Sequence, residues 1–145
     1  MAVHFPIGIQ AHPEGSQTAG GKGRIIGNEK MIRLSIQIHP HRSPQLDLSS
    51  LRAECERLAA DEALVRQFFW SEGFDEHAYL NLTFETDRPG QLWRLLHQQL
   101  YQASRFGSFM QVASMAVCEG QHGWDDYLLL HHYDAELKRD EVSDE

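Results

Sequence analysis

The stretch AYLNLTFETDRPGQLWRLLHQQL, residues 78–100, decides the fold class. Leu80, Leu82 and Phe84 alternate with Asn81, Thr83 and Glu85, the period of two expected of a strand with one buried face. Asp87, Arg88, Pro89 and Gly90 interrupt that alternation. Beyond them the large apolar residues fall at Leu92, Leu95, Leu96 and Leu100, the spacing of one helical stripe. Proline and glycine are the strongest local punctuators of a chain, so the change of period predicts strand, turn, helix.

The same test extends outward. Ile32, Leu34, Ile36 and Ile38 alternate with Arg33, Ser35, Gln37 and His39, which predicts a strand over 32–38. Pro40 and Pro44 exclude regular pairing and predict a loop. Asp47 is placed to cap a helix whose stripe is Leu48, Leu51, Cys55, Leu58, Val65 and Phe69, near 48–69. Asp61 and Glu62 interrupt the stripe, so Asp61 caps a second short segment ending near Trp70, and 71–77 reads as a loop. The strand of the opening stretch covers 79–85 and its helix 91–103. Further on, 109–118 is apolar with high strand propensity, 119–123 reads as a hairpin loop, and 126–133 as a last strand.

The order β-α-β-α-β-β predicts an α+β two-layer sandwich: one mixed sheet of about four strands with two helices on one face. The helices pack on the Ile32/Leu34/Ile36/Ile38 face, and the polar alternation leaves the other face more open. Two strand–helix–strand crossovers imply parallel neighbours, and the last pair an antiparallel hairpin. A ferredoxin-like plait or a variant of it is the nearest common architecture. Its order is β-α-β-β-α-β, so either the reading is one strand short or the topology differs.

Residues 1–30 hold much of the glycine and few large apolar side chains, and read as a flexible N-terminal extension. Val3 to Ile9 alternatively adds one edge strand, although Pro6 and Gly8 weaken it. Residues 31–134 form a single α+β domain, and 135–145 an acidic tail expected to fray.

The net charge is −8, and no segment clusters Lys and Arg, which argues against nucleic acid as a partner. No apolar window has the length of a membrane span. Cys55 and Cys118 sit in apolar patterns without a CxxC pair, which predicts reduced, buried thiols and a cytoplasmic setting. No nucleophile elbow, phosphate loop or HExxH motif is present, so an enzyme is not the favoured reading and no cofactor is expected.

Nine histidines leave two candidate constellations. If the strands run parallel, His39 and His41 end the first strand at the edge where Glu85 and Asp87 end the second, and Asp125 and Asp126 flank the last hairpin there. His39, His41 and Asp125 are then the candidate metal ligands. The second constellation is an open-face ligand site. Alternation in the last strand puts His131 on the face of Tyr127, Leu129 and Tyr133, beside Tyr79 and Glu85. At the Pro-Gly turn the free amides of the first helical turn suit an anion, with Asp87 and Arg88 beside it.

A strand, then Asp-x-Pro-Gly, then a leucine-rich helix resembles the opening of ACT regulatory domains. The resemblance covers 78–100 and implies a loop that helps to bind amino acids. An ACT domain continues with two strands, a helix and a strand; here two strands and a charged tail follow.

Two expectations result. One is a small acidic, non-catalytic binding module, an inhibitor or immunity-type partner of a basic protein, for which a homodimer is also allowed. The alternative is a metal- or small-ligand-binding domain using the His/Asp/Glu edge.

Overall fold

The computed structural model describes residues 25–26, 29–102 and 105–144. The extension expected over 1–30 lies mostly outside these, and so does the Val3–Ile9 strand. Strands β1 (Ile25–Ile26) and β2 (Glu29–Lys30) form a small antiparallel ribbon. Then come β3 (Ile32–Ile38), a 3-10 turn (Pro40–Arg42), α1 (Leu48–Ala59), β4 (Gln67–Asp75) and β5 (His77–Thr86). After these follow α2 (Pro89–Leu96), a π-helical turn (His97–Tyr101), α3 (Gly107–Ala113), β6 (Ser114–Gly120) and β7 (Gly123–His131).

The fold is α+β, as expected, but its main sheet has five strands in the order β4-β5-β3-β6-β7, all antiparallel. The strand missing from the sequence reading is β4. Phe68, Phe69 and Trp70 are consecutive, so Phe69 also fits a continued helical stripe. The helix stops because Asp61 turns the chain. Its carbonyl accepts from the amides of Leu64 and Val65, and its side chain accepts from Ala63. Asp61 thus caps a turn, not a second helix.

Because β4 intervenes, β5 returns antiparallel to β3, with Leu34 opposite Phe84 and Ile36 opposite Leu82. The expected parallel pair is corrected, and with it which residues share an end of the sheet. The strand expected over 109–118 is also divided: Met110 and Ala113 are buried at helical spacing in α3, and the strand starts at Ser114.

The predicted apolar face is the core. Leu34, Ile36, Ile38, Leu82 and Phe84 are fully buried against Leu51, Cys55 and Leu58 of α1 and Leu92, Leu96 and Leu100 from α2 through the π-helical turn. Each such aliphatic side chain contributes roughly 1.5–3 kcal/mol by leaving water. Asp47 caps α1 as predicted, accepting from the Ser50 amide at 3.1 Å.

The opposite face is polar but not open. Arg33, Ser35, Gln37, Asn81, Thr83 and Glu85 are all buried. They form three cross-strand pairs: Arg33 Nε to Glu85 Oε2 at 3.2 Å, the Ser35 and Thr83 hydroxyls at 3.2 Å, and Gln37 Nε2 to Asn81 Oδ1 at 3.1 Å. Directly opposed polar side chains in antiparallel strands satisfy one another, so the row is buried without orphaning most of its groups.

Residues 135–144, expected to fray, instead strap the β7 edge. The Asp140 amide donates to the Leu129 carbonyl at 2.7 Å, and Asp140 Oδ2 accepts from the Leu129 amide at 2.8 Å. Further on, Asp144 Oδ1 accepts from the amides of Gly90 (2.6 Å) and Gln91 (3.1 Å). Arg88, the N-cap residue of α2, gives no side-chain cap. An acid far along the chain therefore satisfies the first-turn donors and complements the helix dipole. Glycine at position 90 permits the approach, since a Cβ there would lie 3.0 Å from Asp144 Oδ1 and 3.1 Å from the Ser143 backbone. No helix among the described residues is long and apolar enough to cross a membrane.

Candidate functional site

The reversal of β5 separates the residues that the sequence reading had grouped. His39 and His41 follow the end of β3, beside His77 and Tyr79 of β5. Glu85, Asp87 and Arg88 lie at the other end, with the β6–β7 hairpin that carries Asp125 and Asp126. His39, His41 and Asp125 are thus not brought together. Among the described residues no group of three or more His, Cys, Asp or Glu side chains is placed to hold a metal ion.

The Glu85 end pairs its charges internally. Glu85 faces Arg33, Asp87 Oδ2 lies 3.2 Å from an Arg66 nitrogen, Glu119 accepts from the Arg33 amide at 2.7 Å, and Asp126 holds His122 at 3.1 Å. Arg88 is exposed, and the anion position expected beside it is filled by the chain's own Asp144. The Asp87–Gly90 loop thus has the expected strand–turn–helix geometry, while the amides of Gly90 and Gln91 are already bonded. Tyr127 packs with Trp124 on the small cluster of Met115, Val117 and Leu129.

His131 does not join Tyr127. Register shifts in β7, where Ala116 pairs with His131 but Val117 with Leu129, making Leu130 the extra residue of a bulge. A bulge inverts the alternation beyond it. The His131 ring consequently faces the helices, 4.6 Å from the Tyr101 ring, and its Nε2 bonds the Gln111 carbonyl at 3.1 Å. That bond puts the ring proton on Nε2 and leaves Nδ1 as an acceptor.

A cleft opens there, between the π-helical turn, the end of β7 and the C-terminal strap. It has two lobes of about 440 and about 380 Å³, which share His97, Gln102, His131 and Arg139. The π turn closes with the Gln102 amide donating to the His97 carbonyl at 3.1 Å, five residues back. Its extra residue sets His97 over the cleft and stacks its ring on Tyr101 at 5.7 Å and 12°. π-Helical turns recur at functional sites because they re-aim side chains out of register. Trp93 extends the aromatic wall, 5.4 Å from His97. Tyr101 is fully buried; its hydroxyl bonds Ser114 at 2.7 Å, and burial raises its pKa strongly, so it is a wall and not an acid.

The strap supplies the charge. Arg139 donates through Nη1 to the carbonyls of Ala135 and Leu137 and through Nη2 to that of His132. Three carbonyls fix the guanidinium, but no carboxylate among the described residues lies within ion-pair distance of it. Burial, opposed by the hydrogen bond to the Gln111 carbonyl and reinforced by the Arg139 guanidinium and the imidazoles of His97 and His132, lowers His131 to about 4. His132 is lowered too, mainly by burial, and its Nδ1 accepts the Asp134 amide at 2.9 Å, leaving the proton on Nε2. His97 is lowered by burial. All three imidazoles are neutral at pH 7, and the cleft's fixed charge is Arg139, with Arg94 at its mouth.

A second imidazole group lies nearby. His41 stacks on His77 at 3.8 Å, and His39 is edge-on to Tyr133 at 5.5 Å. Arg42 lies 3.8 Å over the Tyr133 ring and donates to the Val112 carbonyl, and it too lacks a carboxylate among the described residues. His39 is lowered to about 4 by burial and then by the neighbouring His41, Arg42, His132 and His77, and its Nε2 is buried without a partner. Both thiols, Cys55 and Cys118, are free, buried and pushed up to about 12 by burial and adjacent glutamates, which leaves them poor nucleophiles.

Of the open-face residues named from sequence, His131 and Tyr133 line the cleft, while Tyr79, Glu85 and Tyr127 are not among its lining residues. His97, Gln98 and Arg139 were missed. His97 and Gln98 sat inside a leucine-rich helical pattern that gives no sign of a π turn, and Arg139 sat in a segment read as tail. Comparison with protein-family models, with curated proteins and with solved structures finds no match for this chain.

Proposed function

We propose that this chain is a small-ligand-binding domain whose site is the cleft between the π-helical turn, β7 and the C-terminal strap. The observation that carries the reading is Arg139: a partly buried guanidinium, held by three backbone carbonyls, facing a cleft with neutral imidazoles in a protein of net charge −8. Pockets of this size, with an aromatic wall and a few fixed polar groups, suit small molecules. Binding is the role this reading assigns, since its support is a fixed guanidinium and hydrogen-bond donors, the groups that hold a ligand. A fragment titration followed by amide chemical shifts tests it. Shifts confined to 93–102, 111–112 and 130–139 are expected; scattered or absent shifts would remove the reading.

We read the strand order as a ferredoxin-like plait, β4-β5-β3-β6, to which β7 is added at one edge. A second functional reading, an acidic module that docks a basic protein, has its own observation. Phe74, 76 % exposed, stands near the tip of the β4–β5 hairpin between the exposed Glu72 and Glu76, and Glu76 takes a left-handed φ of 67°. An exposed aromatic flanked by acids is the shape of an anchor for a basic-rimmed apolar pocket.

A further inference from the structure

Resting on the reading of the cleft as a small-ligand site, we infer that its ligand is a small planar carboxylate. Three features of the cleft select that class.

The first is charge. Arg139 keeps its guanidinium where no carboxylate of the described residues reaches it, whereas Arg33, Arg52, Arg57 and Arg66 each face one. Two of its nitrogens are occupied by carbonyls, which neutralise nothing. A fixed, uncompensated guanidinium in a cleft matches a carboxylate in both charge and geometry.

The second is the donor set. His132, bonded at Nδ1, offers an Nε2 hydrogen. Gln98 and Gln102 are exposed amides at the rim and can turn their NH2 groups inward. Two carboxylates of the described residues lie near: Asp144, 3.8 Å from Arg94 at the mouth and engaged with the first turn of α2, and Asp134, whose charge acts on His132 but which is not within ion-pair distance of Arg139.

The third is shape. Trp93, His97 and Tyr101 cluster with ring centroids 5.4–5.7 Å apart; His97 lies nearly parallel to the buried Tyr101 ring at 12°, and Trp93 stands 55–60° to both, so the flat face offered is that of His97 with Trp93 as its flank. A flat ligand body covers such a wall with more contact than a branched one. Either lobe has room for a ligand the size of a substituted benzoate.

The test compares benzoate with benzamide, which has the same shape and no charge, by amide and imidazole chemical shifts of the full chain. Benzoate is expected to shift 93–102, 111–112 and 130–139 saturably below about 10 mM, and benzamide to bind at least ~10-fold more weakly. Arg139→Gln should abolish the benzoate shifts. Because that change also loosens the strap, Gln98→Glu is the second variant. It leaves the strap intact, adds a like charge at the rim, and should weaken benzoate ~5-fold or more while leaving benzamide unchanged. Equal binding of the two probes in the cleft would overturn the carboxylate inference and leave the ligand site standing. No cleft shift with either probe, in a chain whose spectrum is otherwise folded, would overturn both.

Discussion

The two ends of the main sheet handle charge in opposite ways. At the end where β3 begins, Arg33 meets Glu85, Arg66 meets Asp87, and Glu119 takes the Arg33 amide. At the end where β3 finishes, Arg42 lies on Tyr133 and Arg139 on carbonyls, amid His39, His41, His77, His131 and His132. The first end pairs Arg33 and Arg66 with carboxylates of the chain itself, although Asp87 Oδ1 stays buried without a partner. At the second, Arg42 and Arg139 have no carboxylate of the described residues within ion-pair distance, and the proposed ligand site rests on that difference.

The largest contrast is expected from removing one partner at the closed end. Arg33 and Glu85 have side chains only 6 % and 4 % exposed, so Glu85→Ala strands a buried guanidinium and should cost about 3–5 kcal/mol in denaturant unfolding. Glu85 was a candidate ligand residue from sequence. A change under about 1 kcal/mol would show that the pair is not what holds this end.

Acid should attack the open end instead. His39 and His131, both lowered to about 4 from 6.5 and both chiefly by burial, are neutral in the folded chain and protonate more readily once unfolded. Their stabilisation is complete above about pH 6.5 and is lost as pH falls toward 4. Melting temperature should drop by several degrees over that window, and His131→Gln, which keeps a donor for the Gln111 carbonyl, should flatten the profile. An unchanged slope in that variant would mean that other groups carry the acid response.

A smaller effect tests the strap that walls the open end. Asp144→Ala removes the acceptor of the Gly90 and Gln91 amides and should cost about 1 kcal/mol, the usual worth of a helix cap. First-turn amides normally exchange fast, so Gly90 and Gln91 should be protected in the parent chain and exposed in the variant. The smallest effect belongs to Phe74→Ser, expected within about 0.5 kcal/mol because the ring is already in water. A larger loss would show that the hairpin tip is structural and remove its reading as a docking anchor.

These contrasts also mark how far the chain could be read unaided. The period-two runs at 32–38 and 79–85 and the leucine spacing at 92–100 give the core face residue by residue, because one-sided burial writes itself as periodicity. Strand β4 escaped because Phe68, Phe69 and Trp70 satisfy helix and strand spacing alike, and tertiary pairing to β5 decides between them. That single miss reversed β5 and moved Glu85, Asp87 and Arg88 to the far end. The site was less legible still. It depends on a bulge at Leu130 that turns His131 inward, a π turn that lifts His97, and a contact between Asp144 and Gly90 across 54 residues. None of these has a local sequence signature.

The central claim is that the open end awaits an anion, and the imidazoles beside Arg139 report it most directly. Titrating the His97 and His132 rings by NMR, with and without saturating benzoate, measures the charge they sense. A carboxylate seated on Arg139 offsets the guanidinium that now helps to lower His132, so the His132 pKa should rise, whereas His97, lowered by burial alone, should not rise with it. Identical titration curves with and without benzoate would contradict the claim.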